Sequence, residues 1–120
     1  DVGTELAIRL FGDESLFVGY SEVRYTAPVF AGDWMEYGGY IEKVGNTSFT
    51  CKFFAYKWMK DSKDENGNVI NGSGAEMINP PELCAYGTGT LMVAKNLQRP
   101  EFGDPKFAAD AKAAGAKAFA

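Results

Sequence analysis

The sequence predicts an α+β domain in which one helix lies against an antiparallel sheet. Two observations carry that expectation. Residues 1–11 repeat an apolar side chain every four positions, at Val2, Leu6 and Leu10 with Ala7 beside them, which is the spacing of one helix face. From Leu16 onward this period gives way to strand-like alternation in runs rich in aromatic and β-branched residues.

The helix carries a second line at the same spacing, Asp1, Glu5 and Arg9, and Gly12-Asp13 stops it, as a glycine past a helix end commonly does. A helix of this length with no residue before it to cap it is marginal by itself. It is expected to be the second half of a longer one, and the chain, which has no initiator Met, to be a fragment.

Residues 16–25 form the first expected strand, with Val23 and Tyr25 alternating against Glu22 and Arg24 and a bulge or bend near Gly19. Pro28 ends it, because proline cannot donate to a ladder. Residues 34–44 form the second. Met35, Tyr37 and Ile41 lie on one side, Trp34, Glu36, Tyr40 and Glu42 on the other, and Gly38-Gly39 marks a bend or a close backbone approach. Gly45-Asn46-Thr47-Ser48 is a turn by its chemistry, and residues 49–59 return from it with Phe49, Cys51, Phe53 and Ala55 inward. Residues 61–81 read as a long polar loop and 83–94 as the last strand, with Leu91 and Val93 on one face. The division expected is a domain over 1–95 and a tail over 96–120, of which 107–120 is Ala/Lys-rich and reads as a frayed helix.

Composition narrows the function. With 46% hydrophobic and 14% aromatic residues in 120, one domain can bury a core without staples. A net charge of −4 and no Lys/Arg cluster exclude a nucleic-acid partner, which needs a basic stripe. No apolar run is long enough to span a membrane and no signal-peptide layout opens the chain, so a cytoplasmic protein is expected. Cys51 and Cys84 fall inside strand patterns, where free cysteine behaves as a small hydrophobe. The sequons at Asn46 and Asn71 are read as chance. With no His in the chain, a Ser-His-Asp or Cys-His site is impossible within it, and no metal-ligand spacing occurs.

The segment VRYTAPVFAGDWMEYGGYIEKVGNTSFTCKFFAYK holds Tyr25, Pro28 and Val29, then Gly32 and Asp33, then Val44, Gly45, Thr47 and Ser48. In that order and spacing these residues resemble the hotdog acyl-CoA enzymes. Asp1-Val2-Gly3-Thr4-Glu5-Leu6, Gly12-Asp13-Glu14-Ser15-Leu16-Phe17, Met35-Glu36-Tyr37, residues 41–46 and 48–53, and Pro80-Pro81-Glu82-Leu83-Cys84 resemble more narrowly the β-alanyl-CoA and 3-aminobutyryl-CoA ammonia lyases. The resemblance runs to about Arg99. It implies a hotdog fold, an antiparallel sheet wrapped around a central helix. Members of that family also carry an N-terminal strand and a first helix half, which are not in this sequence, so one sheet edge and the helix start are expected to be missing.

The implied reaction is reversible β-elimination of ammonia from a β-aminoacyl-CoA, as from β-alanyl-CoA to acryloyl-CoA. It needs a general acid/base, donors at the carbonyl oxygen and an anionic patch for the ammonium. By resemblance the central helix presents the carboxylate. Glu5 is the first candidate, with Asp1 four residues earlier on the same face as a like-charge neighbour able to raise one pKa. An ordinary Glu5–Arg9 surface pair fits the same spacing. Gly45, Asn46, Thr47 and Ser48 are candidates to meet the phosphates or pantetheine of coenzyme A, or serve only their own turn. Tyr37 is a candidate to line the acyl pocket. No prosthetic group is implied; coenzyme A enters as part of the substrate.

Other readings remain open: a hotdog thioesterase or a hydratase-like enzyme, or a subunit or fragment that binds acyl-CoA without turnover. The resemblance further implies a homodimer with the site at its interface, up to three dimers in a hexamer.

Overall fold

The computed structural model describes residues 1–70, 72–114 and 117–119. Asn71 of the second sequon lies outside them. Of the frayed helix expected over 107–120, residues up to Ala114 are helical, and residues 115, 116 and 120 lie outside the described residues. Lys117–Phe119 is a strand instead, because its backbone pairs with the edge at residues 38–40. Helix α1, Val2–Phe11, forms where the four-residue spacing places it, and buries Val2, Leu6, Ala7, Leu10 and Phe11. Gly12 ends it at φ 65°, a left-handed conformation that glycine adopts without a Cβ clash, and donates its N–H to Ile8 O at 2.8 Å.

Four long strands follow: β1 (Leu16–Tyr25), β2 (Trp34–Val44), β3 (Ser48–Asp61) and β4 (Ala75–Met92). A short β5 (Lys117–Phe119) completes an antiparallel sheet of order β1-β4-β3-β2-β5. The turn at residues 45–48 closes the β2–β3 hairpin as its chemistry predicts, with Gly45 N–H donating to Ser48 O at 2.7 Å. Along β3, Phe49, Cys51 and Ala55 are buried on the helix side, as the alternation predicts. The register of β1 against β4 slips on either side of Gly19 and Tyr20, which is the expected bulge.

The segment 61–81 is not wholly a loop. Strand β4 begins at Ala75 and runs through Pro80 and Pro81, because its pairing with β3 jumps from Glu82 opposite Lys57 to Met77 opposite Met59. The two prolines fall inside that register break, where the ladder asks nothing of their missing N–H groups.

The core joins α1 to the inner sheet face through Leu6, Leu10, Ile41, Phe49, Cys51, Leu91 and Val93. Residues 95–114 pack against α1. There Phe107 and Ala111 of helix α2 (Pro105–Ala114) are buried in the same core. Arg99 N–H donates to Phe11 O at 2.7 Å, and Asp104 N–H to Arg9 O at 2.8 Å, tying this segment to the end of α1.

Candidate active site

Between the first turn of α1, strand β1 and the inner face of the sheet lies an open cavity of about 720 Å³. Glycines set how closely the elements around it approach one another. Gly39 lets Val2 approach β2 closely, since a Cβ there would sit 2.8 Å from Lys52 O and 3.0 Å from Val2 Cγ1. Gly87 of β4, also on the wall, lets β1 approach, since a Cβ there would sit 2.8 Å from Glu22 O. The walls are largely apolar and aromatic, with Phe17, Val23, Phe53 and Leu91 beside four tyrosines, Tyr20, Tyr25, Tyr37 and Tyr86. Tyr20 stands against Phe17 and Phe53, with ring centroids 4.7 and 6.3 Å away.

Two acidic residues, Asp1 and Glu14, line this cavity, together with the hydroxyl residues Thr4 and Ser15, and among the described residues no Lys or Arg does. Val2, Gly3 and Thr4 also lie on the wall. As the first residues of a helix they carry backbone N–H groups without an intrahelical acceptor, at the positive end of the helix dipole. A carboxylate, oriented donors and an apolar chamber therefore meet at one helix start.

Of the residues singled out from sequence, the cavity brings together Asp1 and Tyr37. Glu5 does not line it. Its side chain is half-buried beside Arg9, whose Nη2 donates to Glu5 Oε1 at 2.6 Å, the alternative that the helical spacing left open. Gly45, Asn46, Thr47 and Ser48 also lie away from it and are engaged in the fold. Beyond the turn's own bond, Thr47 O accepts from Val93 N at 2.8 Å and Asn46 O from Gln98 Nε2 at 2.7 Å. Reading the sequence for carboxylates on one helix face missed Glu14 and Ser15. Their signal was the Gly-Asp-Glu-Ser exit of the helix, where the chain must reverse beside the sheet.

A buried ion pair anchors the connection between β1 and β2, which leaves directly from the cavity wall at Tyr25. Asp33 Oδ2 accepts from Lys57 Nζ at 3.0 Å and from Phe30 N–H at 2.7 Å, and Lys57 also donates to Pro28 O at 2.9 Å. Burial would push the Asp33 carboxyl up, but the bonds from Phe30 and Lys57 outweigh it and hold the carboxyl below its ordinary value. The hydrogen bond and charge of Asp33 raise the Lys57 ammonium above its own. Cys51 is buried and its thiol is pushed up to about 12 by that burial, which leaves it protonated and inert. Among the described residues there is no cluster of side chains able to hold a metal, and no helix is long and apolar enough to cross a membrane.

No protein-family model matches the chain. It is 41% identical over 99 residues to a 3-aminobutyryl-CoA ammonia lyase of Acetoanaerobium sticklandii, a match covering 82% of this chain and 75% of that protein. Among solved structures it is similar to the β-alanyl-CoA:ammonia lyase from Clostridium propionicum, with 49% identity and a TM-score of 0.73, over 81% of this chain and 66% of that one. A hexameric broad-specificity acyl-coenzyme A thioesterase shares the fold at 20% identity and a TM-score of 0.57, over 81% of this chain and 61% of that one. The helix and sheet described above are thus those of a hotdog fold.

Proposed function

The chain belongs to the family of 3-aminobutyryl-CoA and β-alanyl-CoA ammonia lyases, and we propose that its cavity eliminates ammonia, reversibly, from a β-aminoacyl-CoA thioester. The observation that carries this reading is the placement of Asp1 at the start of α1, on the wall of a largely apolar chamber that no Lys or Arg lines among the described residues.

In the forward direction Asp1 takes the proton from the carbon α to the thioester carbonyl. The electron pair moves into the α–β bond as the β-carbon–nitrogen bond breaks, and the amino group, bound in its protonated ammonium form, leaves as neutral ammonia. The proton held on Asp1 then passes to that ammonia, so atoms and charge balance as enoyl-CoA plus ammonium. Charge that gathers on the carbonyl oxygen during the step is met by the N–H groups of the first helical turn, whose dipole is fixed before the reaction begins. Tyr37 borders the acyl group. Coenzyme A arrives with the substrate and no prosthetic group is required.

The functional unit proposed is a cytoplasmic homodimer, or a hexamer of such dimers. Strand β1 supports it, because its edge leaves Leu16, Val18, Tyr20 and Tyr25 exposed beside the open cavity. Product analysis on β-alanyl-CoA and 3-aminobutyryl-CoA tests the reading. Enoyl-CoA and ammonia in equal amounts are expected. Free acid and coenzyme A would identify a thioesterase instead, and thioester binding without either product a non-catalytic subunit.

A further inference from the structure

The turn that leaves α1 is built at an energetic disadvantage, and it does so on the cavity wall. Ser15 has φ 72°, the only non-glycine residue with positive φ among those described. Its N–H is used within the turn, donating to Asp13 Oδ1 at 2.8 Å. Glycine would meet that backbone demand more cheaply, since a side chain in the left-handed region brings Cβ against the backbone. The serine hydroxyl nevertheless gains nothing inside the protein. Ser15 Oγ is buried and is the one such side-chain polar atom without a hydrogen-bond partner among the described residues. Buried polar groups are nearly always paired, and one that is not asks for a partner from outside the chain.

Three features of the surroundings define that partner. Ser15 lines the cavity; Glu14, its neighbour, lines it too; and among the described residues the only other acidic residue on the wall is Asp1, with no Lys or Arg there. An ammonium is matched by this set, because it donates three hydrogen bonds and carries the compensating charge. A neutral amide can donate to the carboxylate but leaves its charge uncompensated, and an anionic acyl group is repelled by it. We propose that Ser15 Oγ and the Glu14 carboxylate form the subsite that holds the amino group of the substrate, and the ammonia in the reverse direction. This rests on the lyase reading above and adds to it the residues that select a β-amino group over other acyl chains.

Steady-state kinetics in the addition direction, with acryloyl-CoA and ammonium chloride, test it. Ser15→Gly relieves the backbone conformation and removes only the hydroxyl, so it is expected to unfold at the same or a higher denaturant concentration than the parent. It is expected to raise KM for ammonia roughly 10-fold or more, the loss of one hydrogen bond to a charged group, while KM for acryloyl-CoA stays within about twofold. Glu14→Gln is expected to move the same constant in the same direction. An unchanged KM for ammonia in both variants would overturn the proposal and leave Ser15 a residue of the turn alone. A raised KM for acryloyl-CoA with ammonia unaffected would overturn it as well, assigning the hydroxyl to the acyl or pantetheine chain. Absence of any addition by the unaltered protein would sink the lyase reading itself, an outcome separate from turnover with unaltered constants.

Discussion

Asp1 and Glu5 stand one turn apart on α1, but Arg9 engages Glu5 at 2.6 Å while Asp1 lies on the cavity wall. Replacing Asp1 with Asn keeps a good N-cap residue and removes the proposed base. The turnover number is expected to fall at least ~100-fold with KM little changed, by initial rates on β-alanyl-CoA. Glu5→Gln removes only a partly exposed ion pair, worth about 0–1 kcal/mol, and is expected to leave the rate within about threefold. Asp33 and Lys57 behave differently because both are shielded from solvent. Lys57→Met leaves the carboxylate buried with Phe30 N–H as its remaining partner, and is expected to cost about 2–3 kcal/mol in urea unfolding. The Asp33 pKa is depressed, so its contribution is complete above its unfolded value near 4 and is lost as pH falls through the folded value. The Lys57 pKa is raised, so its contribution is complete below about 10.4 and is lost as pH rises through the folded value. Unfolding measured across pH is expected to show a plateau between those limits, with both edges blunted in Lys57→Met. Glu5 and Asp1 look alike in the sequence, since spacing fixes which face of a helix a residue shares but not which neighbour captures it. Ser15 was legible only as part of a turn, because backbone sign and an orphaned hydroxyl are properties of the folded chain.

At the scale of elements, α1 sits close to the sheet because Gly39 offers no Cβ to Val2 and Lys52 O. Gly39→Val is expected to cost about 1–3 kcal/mol by overpacking and to weaken activity by lifting the helix start that carries Asp1, measured by unfolding and by kcat/KM on the same preparation. Helix α1, the β2–β3 hairpin and the bulged β1 were all legible, because each rests on a local signal: a four-residue period, a turn composition, or a glycine within an alternating run. The start of β4 was not. Pro80 and Pro81 argue against a strand wherever the ladder is continuous, and only the partner strand's register reveals that it skips them. The packing of Phe107 and Ala111 onto α1 was hidden for a related reason, as an Ala/Lys-rich segment shows its buried face only when the surface it covers is known.

The whole molecule is elongated, 57 × 25 × 22 Å, with a radius of gyration of 17.6 Å against about 14 Å for a compact domain of this length. That shape leaves β1 exposed along its length, aromatic residues included, and leaves the cavity open on the same side. Sedimentation equilibrium at micromolar concentration is expected to report a dimer or a multiple of it. Val18→Lys is expected to shift the protein towards monomer and to lower activity with it; a stable monomer of the unaltered protein would count against a site shared between copies. The central claim is that this cavity moves a proton at the carbon next to the thioester while making or breaking a bond to nitrogen at the next carbon. Incubation with acryloyl-CoA and ¹⁵N-ammonium in D₂O, followed by mass spectrometry and NMR of the product, tests both halves at once. The account predicts β-alanyl-CoA with ¹⁵N on the β-carbon and one deuterium on the α-carbon, its formation abolished in Asp1→Asn. Acrylate with free coenzyme A, or β-alanyl-CoA formed equally well without Asp1, would contradict it.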